Sequence, residues 1–334
     1  MSDAYQSVID ALGSCKRILL TTHVRPDGDA LGTVAATILG LRKKGIEAEA
    51  LLLSHLPSKY AFIFTENEIV HHEAEQGWPA KLNLKDFDAF LVMDTGTWSQ
   101  LPGLKEKVLS FAGKKIVVDH HLTQEDWADI KLVDTTAAAA GEIATELLER
   151  WGVAMDGQIA TALFLALVCD TGWFQFSNTK PHTLRMAADL ISAGVDTDRI
   201  YQLLYQNERA ERIQLHSRGM QSLELLAGGK LAVMTLKKSD FEQTGARVTD
   251  TEALINIPMQ IASVQVSVLI TEPTDKGPTR VSLRSKGQVD VAALAQIFGG
   301  GGHARAAGLK LDLSLSETRA QVVESLTKLL DSNC

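Results

Sequence analysis

Three side chains able to hold a divalent cation fall within seven residues: His23, Asp27 and Asp29 in Thr21-Thr22-His23-Val24-Arg25-Pro26-Asp27-Gly28-Asp29-Ala30. Pro26 and Gly28 are turn formers, so all three ligands can point into one small volume. A solvated loop with an N-capping aspartate would use the same residue types. Further ligands at the ends of other apolar segments separate the two readings, and they are present. Ala89-Phe90-Leu91-Val92-Met93 runs into Asp94, Lys115-Ile116-Val117-Val118 into Asp119-His120-His121, and residues 163–169 into Asp170. A core segment has no packing reason to end in a carboxylate, because an unpaired buried carboxylate is costly. Asp27, Asp29, Asp94 and Asp170 bring four negative charges, which two divalent cations neutralise. Carboxylate and imidazole without thiolate favour Mn2+ or Mg2+ over a structural zinc.

These residues need elements to position them. Residues 17–22 read as a buried strand and 31–44 as a helix, so the first cluster sits on a strand-to-helix turn, where open α/β sheets place their active sites. Strand-like runs at 46–53, 89–93 and 116–118 alternate with helical patterns, among them 138–151 and 158–168. This predicts an α/β domain over 1–180, a mostly parallel sheet wrapped by helices. Residues 181–228 read as a helical connector (184–193, 200–205, 209–226), punctuated by Gly194 and Gly228-Gly229 as helix stops. Residues 229–334 read as a second, smaller α/β domain, with strands at 231–236, 263–271 and 279–284 and helices at 291–298 and 317–330. His71-His72, beside Glu73 and Glu75, reads as solvated surface, because no apolar scaffold flanks it.

The motif order resembles the DHH phosphoesterase family, named for the tripeptide that stands here as Asp119-His120-His121. His23-x-x-x-Asp27-Gly28-Asp29-Ala30 matches the family's first motif, and Asp94 and Asp170 match later ones. Residues 299–308, Gly-Gly-Gly-Gly-His-Ala-Arg-Ala-Ala-Gly, are similar to the Gly-Gly-Gly-His signature of its C-terminal DHHA1 domain. The resemblance implies that His23 and Asp27 serve one metal, Asp29, His120 and Asp170 another, and that Asp94 bridges them. Asp119 is then a neighbour that orients a histidine ring, and His121 a donor or general acid at the substrate phosphate. On the DHHA1 domain the resemblance makes Arg284, with Ser285 beside it, a substrate-binding position. Gly300, Gly301 and Gly302 let backbone N–H groups approach an anion, and His303 follows directly. Arg280 and Arg305 read equally well as surface charges. The length is closest to the stand-alone branch that degrades very short oligoribonucleotides and dephosphorylates 3′-phosphoadenosine 5′-phosphate, with two divalent ions, Mn2+ foremost.

Composition bounds the partner. At 334 residues, 45% hydrophobic and 22% charged, the chain suits a two-domain soluble protein. A net charge of −8 argues against coating long nucleic acid, though not against a short RNA or nucleoside bisphosphate in a locally basic pocket. The longest apolar run, 160–169, is too short for a bilayer span, so no membrane is expected and the run reads as a buried helix. Met1-Ser2-Asp3 opens no secretory signal, and Cys15, Cys169 and Cys334 form neither a disulfide framework nor a zinc site. Cytoplasmic placement follows, and exposed apolar connector helices would permit a homodimer. Trp173, Phe174 and Phe176, after Asp170, can stack a base or fill the core.

The same residues admit rival readings. Asp94-Thr95-Gly96 and Asp170-Thr171-Gly172 invite an aspartic-protease reading, which leaves the histidines and the first cluster unexplained. A non-catalytic nucleotide sensor would tolerate lost metal ligands, and here the set is complete. Inorganic pyrophosphatase uses similar metal motifs, and Arg284 with the Gly-Gly-His pattern counts against it. Linear or cyclic dinucleotides are the alternative phosphodiester substrates, which metal ligands alone cannot separate.

Overall fold

The computed structural model describes residues 4–65, 70–75 and 77–332; Met1-Ser2-Asp3 and Cys334 lie outside the described residues. The chain divides into two compact units, Met1–Asn207 and Glu208–Cys334.

The first unit runs α1 (Ala4–Gly13), β1 (Arg17–Thr21), α2 (Gly28–Lys43), β2 (Glu47–Leu52), α3 (Phe62–Thr65), β3 (His71–Glu73), β4 (Ala89–Met93), α4 (Lys105–Leu109), β5 (Lys114–Asp119), β6 (Ile130–Val133), α5 (Ala140–Arg150), α6 (Gly157–Asp170), α7 (Pro181–Ser192) and α8 (Thr197–Tyr205). Its strands form one parallel sheet in the order β3-β2-β1-β4-β5-β6. The order reverses between β1 and β4, which opens a crevice at the carboxyl ends of those strands. Both faces of the sheet are covered. Ile18, Leu20, Leu91 and Val118 pack with Leu31, Ile38, Ile143 and Leu163, while Leu19, Phe90, Val92 and Val117 pack with Leu104, Val108 and Trp127. That two-sided burial is why these strands read as unbroken apolar runs.

Helix α2 lies close against α6. Gly32 makes the approach possible, since a Cβ there would stand 2.3 Å from the Ala162 carbonyl oxygen and 3.0 Å from the Ala166 nitrogen. The apolar run 160–169 is interior to α6, and its side chains are mostly buried. Among the described residues no helix is long and apolar enough to cross a membrane.

The second unit runs α9 (Ala210–Gln221), β7 (Glu224–Leu226), β8 (Leu231–Leu236), α10 (Lys238–Thr244), β9 (Val266–Thr271), β10 (Thr279–Ser285), α11 (Val291–Ile297), β11 (Gly301–His303), β12 (Ala306–Leu311) and α12 (Leu315–Ser332). The sheet order is β11-β12-β10-β9-β8-β7, antiparallel except for β8–β9. Val233, Val268, Ile270 and Leu283 meet Leu294 of α11 and Val322 and Leu326 of α12. On the other face Met234, Leu236 and Leu269 meet Leu215 of α9 and Phe241 of α10.

Three local expectations change. The segment expected to connect the domains does not stand apart: α7 and α8 fall in the first unit and α9 in the second. Its last helix ends at Gln221, and Glu224–Leu226 pairs with β8 as a strand. Gly228 (φ 64°) and Gly229 (φ 84°) therefore turn a strand into a strand rather than stop a helix. His71-His72 opens edge strand β3, where pairing to β2 supplies the scaffold that its own residues lack, and His72 Nε2 lies 2.8 Å from Glu49 Oε2.

Candidate metal centre

Each ligand-bearing segment leaves the first sheet at its carboxyl edge or closes over it. His23 and Asp27 come from the β1–α2 turn, Asp29 from the first turn of α2, Asp94 from the end of β4, His120 and His121 from the end of β5, and Asp170 from the last residue of α6. The run before Asp170, expected to be helical over 158–168, is helix α6, so this carboxylate stands at a helix C-terminus and not at a strand end. A carboxylate at a helix C-terminus faces the negative end of the macrodipole, an unfavourable place unless positive charge is nearby.

Two groups divide the expected ligands, each with its ligand atoms within 4.8 Å of one another: His23, Asp27 and Asp94, and Asp29, His120 and Asp170; His121 forms a further such group with Asp94 and His120. His23 Nε2 lies 3.8 Å from Asp27 Oδ1 and 3.5 Å from Asp94 Oδ2. His120 Nε2 lies 3.7 Å from Asp29 Oδ2, 3.3 Å from Asp94 Oδ1 and 3.8 Å from Asp170 Oδ2. Asp94 thus turns one oxygen to each group. It does so from a left-handed backbone (φ 61°). Of six non-glycine residues with positive φ among the described ones, Arg25, Asp94, Trp173 and Phe174 all lie in the ligand-bearing loops. Strain of this kind persists where the surroundings over-determine it.

Asp29 is buried. Its carboxylate accepts from Ala140 N (2.7 Å), Gly141 N (2.9 Å) and Thr33 Oγ1 (3.1 Å). Ala139, the N-cap of α5, makes no side-chain cap bond, so Asp29 caps that helix from another element. Asp27 caps α2, accepting from Ala30 N at 3.1 Å.

The electrostatics call for cations. Burial, and then the Asp94 charge, drive the Asp29 carboxyl well above its usual range. Burial also raises Asp170, with Asp94 and Asp27 adding to it and His120 opposing. Burial pushes His23 down, but the Asp27 and Asp94 carboxylates facing it outweigh this and carry it up to about 10. The same contest carries His120 up to about 10, through Asp94 and Asp29. Asp94 Oδ1 is buried and accepts no hydrogen bond. Crowded carboxylates, an orphaned buried oxygen and imidazoles recruited as cations are the chemistry that two divalent ions would satisfy.

Asp119 is fully buried. Oδ1 accepts from His120 N (2.8 Å), His121 N (3.1 Å) and His121 Nδ1 (2.8 Å), and Gln124 Nε2 bonds Oδ2. The carboxylate therefore caps the turn and orients an imidazole at once. The ring it orients is His121, raised above its ordinary pKa by that bond, while His120 Nδ1 sits 3.4 Å from the Ala137 carbonyl. Gln124 and Asn178 carried no signal in the sequence, because neither type nor spacing marks a neutral amide. Asn178 Nδ2 donates to the Ala138 and Asp170 carbonyls, both at 3.0 Å. Gly96 makes room for Gln124, since a Cβ there would lie 1.8 Å from Gln124 Oε1. Gly96→Ala is expected to displace Gln124 and lower kcat roughly tenfold, the scale of a lost ligand-supporting contact. Steady-state kinetics on Gly96→Ala and Gln124→Ala check this; a Gly96→Ala enzyme with wild-type kcat sinks it.

On the second unit, Arg284 sits on β10 between Ser267 and Ala306, and Nη1 donates to its neighbour's carbonyl, Leu283 O, at 3.0 Å. Ser285 is buried, and its hydroxyl is engaged by the carbonyls of Val289 (2.7 Å) and Ala304 (3.2 Å). That hydroxyl braces the loop and has no free proton for a ligand. The glycine run is not one open loop: Gly299 N and Gly300 N close α11 on Gln296 O and Ala295 O, while Gly301, Gly302 and His303 form β11. Gly302 (φ 143°) is required, as a Cβ would stand 2.4 Å from Ala306 O. His303 is exposed, and Arg305 Nη1 is spent on Val289 O (2.7 Å).

Comparison with known proteins agrees with this layout. Residues 17–167 match the N-terminal domain of the DHH family, and residues 228–333 match the DHHA1 domain. The bifunctional oligoribonuclease and PAP phosphatase NrnA of Thermus thermophilus is 29% identical over 92% of this chain and 89% of its own. The Bacillus subtilis protein of the same name is 27% identical over 88% and 89%. An exopolyphosphatase-related protein from Bacteroides fragilis shares the fold, with a TM-score of 0.83 over 99% of this chain and 98% of that one at 23% identity. With both domains matched in order, and the family's ligand types gathered where the strand order reverses, the chain belongs to the DHH family and carries its DHHA1 domain.

Proposed function

We propose that the chain is a two-metal phosphoesterase that hydrolyses very short oligoribonucleotides to mononucleotides and 3′-phosphoadenosine 5′-phosphate to AMP, in the cytoplasm. The observation that carries the reading is Asp94, whose two oxygens face two separate imidazole–carboxylate groups. A carboxylate shared in this way would hold two divalent cations at once, the pairing that phosphoryl displacement uses. The substrates follow from relatives named for these two activities, which the chain matches over most of their length. Mn2+ fits the thiolate-free donor set. The free thiols of Cys15 and Cys169 are in keeping with a reducing compartment.

Bound cations would ease deprotonation of the attacking water and offset charge on the phosphoryl oxygens. The remaining work belongs to the chain. His23 and Asp27 would hold one ion, Asp29, His120 and Asp170 the other, and Asp94 both. Asp119 fixes His121 through Nδ1, which leaves Nε2 to give its proton to the leaving oxygen as the P–O bond breaks. Arg284, with Gly301, Gly302 and His303, is assigned to substrate phosphates. Hydrolysis with Mn2+ across di- to pentaribonucleotides, a long RNA, 3′-phosphoadenosine 5′-phosphate, a cyclic dinucleotide and pyrophosphate tests this. Fast turnover of the short RNAs and the bisphosphate is expected. Preference for the cyclic compound or pyrophosphate would reassign the substrate, and tight Mn2+ binding with no turnover at all would make the protein a sensor.

A further inference from the structure

Two apolar side chains that follow metal-ligand positions in the chain stand in water. Leu122, directly after His121, is 87% exposed, and Phe176, six residues after Asp170, is 58% exposed. Neither belongs to a core cluster, whereas Trp173 and Phe174 pack on the first unit's core and against Phe164. The alternatives of base stacking and core filling are thus divided within one short segment.

Phe176 is held, not loose. Gly172, Trp173 and Phe174 are consecutively left-handed, with φ of 56°, 56° and 64°. Phe176 N donates to Thr171 O at 3.0 Å, and Thr179 N to Phe176 O at 3.1 Å. Asn178 ties the same segment to the Asp170 carbonyl. A Cβ at Gly172 would lie 2.5, 2.7 and 2.8 Å from Cζ, Cε2 and Cε1 of Phe176. Three near-equal distances to adjacent ring atoms put that glycine under one face of the ring. An aromatic ring seated on a glycine and anchored to a metal-ligand segment, with most of its surface in water, is a stacking platform.

We propose that Phe176, supported by Leu122, is the base-binding surface of the metal centre, so that the site selects phosphates attached to a nucleoside over bare phosphates. This inference rests on the phosphoesterase reading. Metal ions grip any phosphate alike, and selectivity for nucleotides needs a contact to the base.

The test compares wild type, Phe176→Ala, Phe176→Tyr and Leu122→Ala on a 5′-phosphorylated diadenosine dinucleotide and on its analogue lacking the terminal base. The ratio of kcat/KM between the two substrates is expected to fall roughly tenfold in Phe176→Ala, to recover in Phe176→Tyr, and to fall less in Leu122→Ala. Quenching of a 2-aminopurine dinucleotide bound in Ca2+ gives a second readout that needs no turnover; it is expected in wild type and Phe176→Tyr and lost in Phe176→Ala. An unchanged ratio in Phe176→Ala, equal losses on both substrates, or unaltered quenching overturns the proposal. Absence of wild-type hydrolysis would overturn the functional reading alone, and the quenching comparison would still decide for or against Phe176.

Discussion

Asp94→Asn is expected to lower kcat at least about a thousandfold. The effect follows from position: Asp94 faces His23 at 3.5 Å and His120 at 3.3 Å, so one substitution removes a ligand from both groups. Loss of a group acting on the reacting phosphate at two points is worth roughly 4 kcal/mol of barrier, and about 1.4 kcal/mol is tenfold. Asparagine keeps the shape and tolerates the left-handed backbone, so what is lost is the charge shared by the two groups. Steady-state kinetics and calorimetric Mn2+ titration measure it. Two Mn2+ sites of wild-type affinity in the variant, or turnover within tenfold of wild type, would remove Asp94 from the bridging role.

Gly32→Val is expected to cost about 3 kcal/mol or more and to leave little folded protein at 37 °C. Helix propensity argues the other way by several tenths of a kcal/mol, because glycine is a poor helix residue. Packing wins because the atoms a Cβ would strike, Ala162 O and Ala166 N, are backbone and cannot rotate aside. The damage also reaches the site. α2 carries Asp29 and α6 carries Asp170, so widening that contact separates two ligands of one group. Urea unfolding and Mn2+ affinity of the folded fraction report the two consequences separately. A midpoint within error of wild type would mean the helices can part without cost.

Much of the site was legible along the chain because its chemistry breaks local rules. A carboxylate at the end of a buried apolar run is costly, so Asp94 and Asp119 stood out against their own strands. Period and breakers located β1, β4, β5, β8 and β10 close to their observed limits, the first four as apolar runs and β10 by the alternation of Val281 and Leu283 with polar residues. Segments whose stability comes from a distant partner were harder to read. β3 and β7 are three residues each and become strands only by pairing with β2 and β8. The run before Asp170, by contrast, reads as a helix over 158–168 and is one over Gly157–Asp170, its length exceeding that of a buried strand.

By itself the sequence determined which atoms are available: the imidazoles, carboxylates and turn glycines, their order, and a charge balance that asks for two divalent cations. Those follow from residue type and local spacing. Only the tertiary structure decided which of them meet. Strand order 3-2-1-4-5-6 brings residues 23, 94 and 120 to one edge, and a helix from elsewhere delivers Asp170. It also decided that Asp119 fixes His121 rather than His120, that the Ser285 hydroxyl braces a loop, and that Phe176 faces water while Trp173 and Phe174 pack inward. Such choices depend on distances between residues far apart in the chain, and local propensity does not encode those distances.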